Sequence, residues 1–194
     1  MKEPFFYRFI ARPFIGFPIR LFIHPKVIGL ENIPREGRAV LAGNHTNNLD
    51  SPLLAAISKR VIHFLAKDSL MKGWKKPLFK GMGIIPVNRS IHDHNALEKA
   101  IKTLEEEKLI GIFPEGTINR TDDIIMPFKI GAVKMASETG APIIPFVITG
   151  EYGLFKKSCI EFLKPIHIPK KDDLTEENKK LEQIISKKLE EKRK

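Results

Sequence analysis

The chain has 194 residues, 42% of them hydrophobic and 29% charged. That length and balance suit one folded domain with a sizeable core and exclude a wholly disordered chain. Lys and Arg number 33 against 23 Asp and Glu, a net charge of +10 at pH 7, which points to an anionic partner: nucleic acid, a lipid headgroup layer or a phosphorylated substrate. The lone cysteine, Cys159, excludes an intrachain disulfide and a multi-cysteine zinc site, and is compatible with a reducing compartment.

Residues 1–24, MKEPFFYRFIARPFIGFPIRLFIH, hold six of the 13 Phe, interleaved with Lys2, Arg8, Arg12 and Arg20. A spanning helix needs about 20 mostly apolar residues. Here the run between Arg12 and Arg20 is seven residues long and carries two prolines. No A-x-A cleavage site follows, so neither a transmembrane span nor a cleaved signal peptide is expected. What remains is an amphipathic, cationic, Phe-rich segment suited to a lipid interface.

Beyond it, short apolar runs alternate with helical periods. VIGL (27–30) and RAVLAGN (38–44) read as strands. SPLLAAISKR (51–60) reads as a helix with Ser51 at the N-cap and Pro52 at the first helical position. VIHFLA (61–66) reads as a strand, SLMKGWKKPLFKGM (69–82) as partly helical with breaks at Gly73 and Pro77, and GIIPVNR (83–89) as a strand. HNALEKAIKTLEEEK (94–108) is the clearest helix, its apolar stripe running through Ala96, Leu97, Ala100, Ile101 and Leu104. LIGIF (109–113) reads as a buried strand, and FKIGAVKMASETG (128–140) as a helix stopped by Gly140. APIIPFVITG (141–150) and SCIEFLKPIHI (158–168) read as strands, which makes Cys159 a core thiol. From Thr175 onward a charged helix shows a narrow stripe of Leu181, Ile184, Ile185 and Leu189, broken on one side by Lys188. Its charges nearly balance, so it reads as a solvated packing helix, not a nucleic-acid arm. Strand and helix in alternation predict a single α/β domain with a mixed, mostly parallel sheet flanked by helices.

Two polar loops carry the candidate chemistry. NHTNNLD (44–50) follows a strand and sets His45 five residues before Asp50. On a regular helix these side chains would stand about 140° apart, so a contact needs one of them outside regular helix. An Asp that accepts from one imidazole nitrogen leaves the other nitrogen basic, the equipment for taking a proton from an alcohol. FPEGT (113–117) follows the LIGI strand, and its Pro114 and Gly116 favour a turn that presents Glu115 and Thr117 at the carboxyl end of that strand, where open α/β sheets place ligands. Two such loops, near one edge, would make one site. Lys67 follows the strand 61–66 and Arg89 closes the strand 83–89, and both suit a phosphate. No G-x-S-x-G elbow is present, which disfavours a covalent serine intermediate. His92-Asp93-His94 reads as a loop leading into a helix, so no metal or other cofactor is expected.

NHTNNLD (44–50), GIIPVNR (83–89), FPEGT (113–117) and APIIPF (141–146), in this order and preceded by GLENIP (29–34), resemble the glycerolipid acyltransferase family, which contains the 1-acylglycerol-3-phosphate (lysophosphatidate) acyltransferases. The likeness covers roughly residues 26–168. It implies an acyltransferase domain over 26–194 and transfer of a fatty acyl group from acyl-CoA or acyl carrier protein to the sn-2 hydroxyl of lysophosphatidate, giving phosphatidate for phospholipid biosynthesis. Carried over, His45 is the general base and Asp50 its orienting partner. Arg89 is the phosphate-binding arginine, Glu115, Gly116 and Thr117 form the acceptor-binding loop, and Pro145 is the proline of the last block. Family members often continue FPEGT with Arg-Ser, whereas this chain has Ile118-Asn119 with Arg120 following. Asn47 stands where Ser is frequent. Both departures bear on acceptor preference.

Residues 1–25 look like the short membrane-docking helices of bacterial members. Lys67, Lys72, Lys75, Lys76 and Lys80 lie among Met71, Trp74, Leu78, Phe79 and Met82, a mixture that suits an anionic headgroup layer. No nucleic-acid motif accompanies it. The expected location is therefore peripheral, on the cytoplasmic face of a membrane, with an anionic phospholipid surface as partner. Glycerol 3-phosphate or another lysolipid as acceptor is one alternative, and a non-catalytic membrane-binding module is another.

Overall fold

A computed structural model describes residues 16–71, 76–88, 93–154 and 156–193. Helix α1 (Phe17–Ile23) leads into β1 (Lys26–Ile28), β2 (Ala39–Gly43), α2 (Asp50–Ile57) and β3 (Ile62–Lys67). Then come α3 (Lys76–Gly81), β4 (Ile85–Val87), α4 (His94–Glu105), β5 (Leu109–Ile112), α5 (Gly131–Thr139), β6 (Ile143–Gly150), β7 (Ser158–Phe162) and α6 (Thr175–Arg193). The strands form one sheet in the order β1-β7-β6-β2-β5-β3-β4. β6 and β7 pair antiparallel; the other neighbours pair parallel. The predicted α/β architecture with a mostly parallel sheet is the one the chain adopts.

Side chains alternate across a strand, and the two faces of this sheet bury two separate cores. Val40, Ala42, Ile110, Ile143 and Val147 face α4, α5 and α6 through Ala100, Leu104, Val133, Met135, Leu181 and Ile185. Ala39, Leu41, Leu109, Ile144, Phe146 and Ile148 face α1 and α2 through Ile23, Leu53, Leu54 and Ile57. A central parallel strand buried on both faces reads as a continuous apolar run, which is why β2, β5 and β6 were legible without alternation. The predicted stripe of α6 is the buried one at Leu181, Ile185 and Leu189, while Ile184 is half-buried. Lys188 and Lys192 turn back to Glu161 on β7.

Several boundaries differ from the sequence reading. Ser51 is not the cap of α2: the cap is Leu49, and Asp50 begins the helix. Pro52 therefore sits third, not first. It does no harm there, because the first i to i−4 bond of the helix, Leu53 to Leu49 at 2.9 Å, comes one residue later. The helix read from 128 starts at Gly131. The amides of Phe128 and Lys129 are taken by the Glu182 carboxylate at 2.7 Å and the Pro114 carbonyl at 2.9 Å. The strand read over 83–89 shrinks to three residues, Ile85–Val87, at the sheet edge, where Pro86 is tolerated. The strand read to 168 ends at Phe162, beyond which an isolated bridge pairs Ile166 with Ile143. Cys159 is half-buried on β7 and not deep in the core. Residues 1–15 of the N-terminal segment lie outside the described residues, as do Lys72, Trp74, Lys75 and Arg89.

Candidate active site

β6, β2, β5 and β3 are parallel neighbours, so their carboxyl ends reach one rim of the sheet. The His45 loop leaves β2 and the Glu115 loop leaves β5, so the two loops spring from adjacent central strands and not from an edge.

Residue by residue, the first loop is pinned before it reaches His45. The buried Asn44 side chain exchanges two hydrogen bonds with the backbone of Ile148 on β6, at 2.9 and 2.8 Å. Gly43, just before it, has no room for a side chain, since a Cβ would lie 2.4 Å from the Phe146 ring. Phe146 in turn meets Phe113 edge-on at 5.9 Å, and Phe113 stacks on the His45 ring at 4.0 Å. The imidazole thus rests on an aromatic support built from β5 and β6.

Asp50 is fully buried, and five donors meet its carboxylate. His45 Nδ1 lies 2.8 Å from Oδ2. The amides of Thr46 and Asn47 donate to the same oxygen at 2.7 and 2.9 Å. Oδ1 accepts from the Thr46 hydroxyl at 3.2 Å and the Tyr152 hydroxyl at 2.5 Å. An ionised carboxylate only accepts, so in the neutral ring this contact selects the tautomer with the proton on Nδ1 and the lone pair on Nε2. His45 sits in the loop and Asp50 opens α2, the non-helical arrangement that the five-residue spacing demands.

Glu115 is placed beneath the site. Its carboxylate accepts from the His45 amide at 2.7 Å and the Met126 amide at 2.9 Å, and the Asn119 amide donates to the His45 carbonyl at 2.9 Å. Burial raises the Glu115 pKa above the ordinary carboxylate value, against the lowering effect of those two amides. Glu115 therefore ties the two loops together. Gly116 adopts φ +76°, a left-handed conformation that favours glycine in this turn.

A cleft of about 1090 Å³ opens beside the ring, bordered by His45, Gly116, Thr117 and Lys67 together with Arg120, Lys129 and Lys134. Leu65, Val87, Ala96, Leu97 and Ile112 supply apolar wall. Asp93 also borders it, but its carboxylate caps α4 through the Ala96 amide at 3.0 Å and holds the Asn88 amide at 2.8 Å. The positive charge of the cleft is thus largely unopposed. The structure brings together His45, Asp50, Lys67, Glu115, Gly116 and Thr117. Sequence reasoning did not find Tyr152, Phe113, Lys129 or Lys134. Lys129 and Lys134 flank the start of a helix that follows a candidate loop, which was the available signal. Nothing in the sequence marked Tyr152, 102 residues from Asp50.

On the α1–α2 side, α1 leaves Phe17, Leu21 and Phe22 exposed at 66%, 48% and 58%, an apolar strip. Among the described residues no helix is long and apolar enough to cross a membrane.

A family model described as Acyltransferase matches residues 24–149. Over 137 residues the chain is 39% identical to the 1-acyl-sn-glycerol-3-phosphate acyltransferase of Borreliella burgdorferi, covering 69% of this chain and 54% of that one. Over 173 residues it is 32% identical to the protein of the same name in Bacillus subtilis, covering 82% and 85% of the two chains. The chain therefore spans about half the length of the first relative and most of the second. The crystal structure of the 1-acyl-sn-glycerophosphate acyltransferase PlsC from Thermotoga maritima superposes with a TM-score of 0.75 at 25% identity, over 96% of this chain and 79% of that one.

Proposed function

The chain belongs to the acyltransferase family, and from that premise we propose that it acylates the sn-2 hydroxyl of lysophosphatidate from an acyl-CoA or acyl carrier protein thioester, forming phosphatidate. The observation that carries this reading is the His45 Nδ1–Asp50 Oδ2 contact at 2.8 Å at the mouth of a cationic cleft. The names of the relatives support the acceptor.

A lipid hydroxyl is scarcely ionised at neutral pH, so its attack needs a base as the bond forms. Nε2 of His45 takes the proton while the hydroxyl oxygen bonds to the thioester carbonyl carbon. Asp50 stabilises the imidazolium and holds its tautomer. Collapse breaks the carbon–sulfur bond, and the departing sulfur receives the proton from Nε2. An ester and a free thiol result, and the ring returns to its starting state. Lys67 and, by family resemblance, Arg89 grip the acceptor phosphate. Arg120 and Lys129 line the same cleft and compensate for the missing arginine directly after FPEGT. The cleft is at the upper end of ordinary ligand sites, which suits the polar parts of two substrates. Its apolar wall suits an acyl chain.

The exposed strip of α1, with the Phe-rich residues before it, seats the protein on one leaflet, so that lipid acceptor and product stay in the membrane. The test is thiol release from one defined acyl-CoA with lysophosphatidate, glycerol 3-phosphate or a phosphate-free lysolipid as acceptor. Lysophosphatidate-dependent release is expected. Release with none of the three would overturn the reading, and release with glycerol 3-phosphate alone would reassign the acceptor.

A further inference from the structure

Asp50 has two oxygens with different duties. Oδ2 faces His45 and two backbone amides, while Oδ1 faces two hydroxyls, those of Tyr152 and Thr46. The amides come with the fold of the loop, whereas the Tyr152 hydroxyl comes from elsewhere. Tyr152 lies just past β6, in the turn that joins it to β7. Gly150 pairs with Ser158 across that turn at φ +79°, and a Cβ on it would strike the Lys157 carbonyl. The connection delivers a half-buried tyrosine to the buried carboxylate. Burial and the adjoining Asp50 charge both hold the phenol protonated, hence a donor.

Resting on the acyl-transfer reading above, we propose that Tyr152 is a positioning residue for that reaction. Its hydroxyl fixes Oδ1 of Asp50, aims Oδ2 at His45 Nδ1, and takes up part of the carboxylate charge that would otherwise hold the imidazole protonated. A carboxylate with too few donors binds the imidazolium too strongly and leaves less free base at neutral pH. The groups that face the ring are Asp50 at Nδ1 and Glu115 below its backbone nitrogen. Across the cleft stand Lys67, Asp93, His94, Arg120, Lys129 and Lys134. Asp123, Lys192 and Arg193 border a smaller cavity on the other side of the loop. Tyr152→Phe changes none of these charges and withdraws one donor.

The test is an NMR titration of the His45 ring in the full-length chain, assigned with His45→Gln, for the wild type and Tyr152→Phe, together with kcat and KM across pH. The midpoint of the ring titration is expected to rise by about half a pH unit in Tyr152→Phe, and the acid limb of kcat/KM with it. Turnover at pH 7 should fall about tenfold, at most about threefold of it from the smaller share of free base and the rest from the lost aim of Oδ2, while the acceptor KM stays within about twofold. Thr46→Val, which removes the longer bond to the same oxygen, should give a smaller rise, and it replaces Tyr152→Phe if that variant fails to fold. A midpoint that stays or falls would overturn the proposal. So would a change confined to KM and thermal stability, since that marks a tyrosine that merely anchors its turn. The ring titration is read whether or not the chain turns over, so an inactive wild type would defeat the acyl-transfer reading and still leave Tyr152's hold on the carboxylate decided.

Discussion

The central strands carry charged side chains at both ends, and the two ends manage them in opposite ways. At the amino ends, Arg38 before β2 forks onto Glu107, which precedes β5, with Nε 2.8 Å from Oε1. Its Nη1 donates to the Thr139 carbonyl at 3.0 Å, and Arg60 donates to the carbonyls of Pro34 and Glu107 at 3.0 and 2.8 Å. Each of these three charges meets an opposite charge or a backbone carbonyl, and the result is a clamp. At the carboxyl ends, Asp50 and Glu115 meet backbone amides, hydroxyls and one imidazole. No arginine or lysine is paired with either carboxylate among the described residues. In the proposed reaction, Asp50 is left to act on a proton carrier and the cleft cations are left to act on substrate. The contrast teaches that a parallel sheet can spend its charges on cohesion at one end and on chemistry at the other.

Five substitutions sharpen or break this contrast. His45→Ala should have the largest effect, lowering turnover by about 10³-fold or more, because a positioned base supplies about 10²–10⁴-fold and its aromatic seat is also lost. Circular dichroism and thermal melts should show the fold retained; an equal collapse of both would make the carboxyl end another clamp. Glu115→Ala comes next and should strike both properties. It strips the acceptor from the His45 and Met126 amides, a loss of about 2–4 kcal/mol in denaturant unfolding, and slackens the loop that carries the base. Arg38→Ala should lower the melting temperature by a few degrees and leave kcat unchanged, and a marked loss of kcat would erase the distinction between the two ends.

The smallest effect concerns the sign of a pH dependence. Glu107 is held below the ordinary value of 4.5, first by its hydrogen bond to Arg38, so its contribution to stability is complete above pH 4.5 and fades as the pH falls through its folded value. Glu115 is raised above 4.5 by burial, so its contribution is greatest below pH 4.5 and fades as the pH rises through its folded value. Urea unfolding of Glu107→Gln and Glu115→Gln against the wild type between pH 3 and pH 7 should therefore give differences that slope in opposite directions. Parallel slopes would sink the contrast.

Much of this protein could be read along the chain. The apolar runs of β2, β5 and β6 are continuous because both faces of those strands are buried, and the stripe of α4 follows from one face meeting a core. His45 and Asp50 were legible because their partnership is local, spanning one turn at a strand end. Gly140 ends α5 in the left-handed conformation its position suggested. Boundaries were harder. The start of α5 depends on Pro114 and Glu182 capturing two amides, and no local propensity encodes partners that far away. Glu115 reads from sequence as a ligand-binding carboxylate, yet both of its oxygens face backbone.

The sequence alone determined the class of fold, the pairing of His45 with Asp50 and the cationic bias of the chain, since each depends on residue type and short spacing. Tertiary structure decided that the β2 and β5 loops lie side by side, that Phe113 seats the imidazole, and that Tyr152 arrives at Asp50 from 102 residues away. Those are consequences of strand order, and strand order is set by how two cores close on a sheet as a whole, a property no stretch of chain carries by itself.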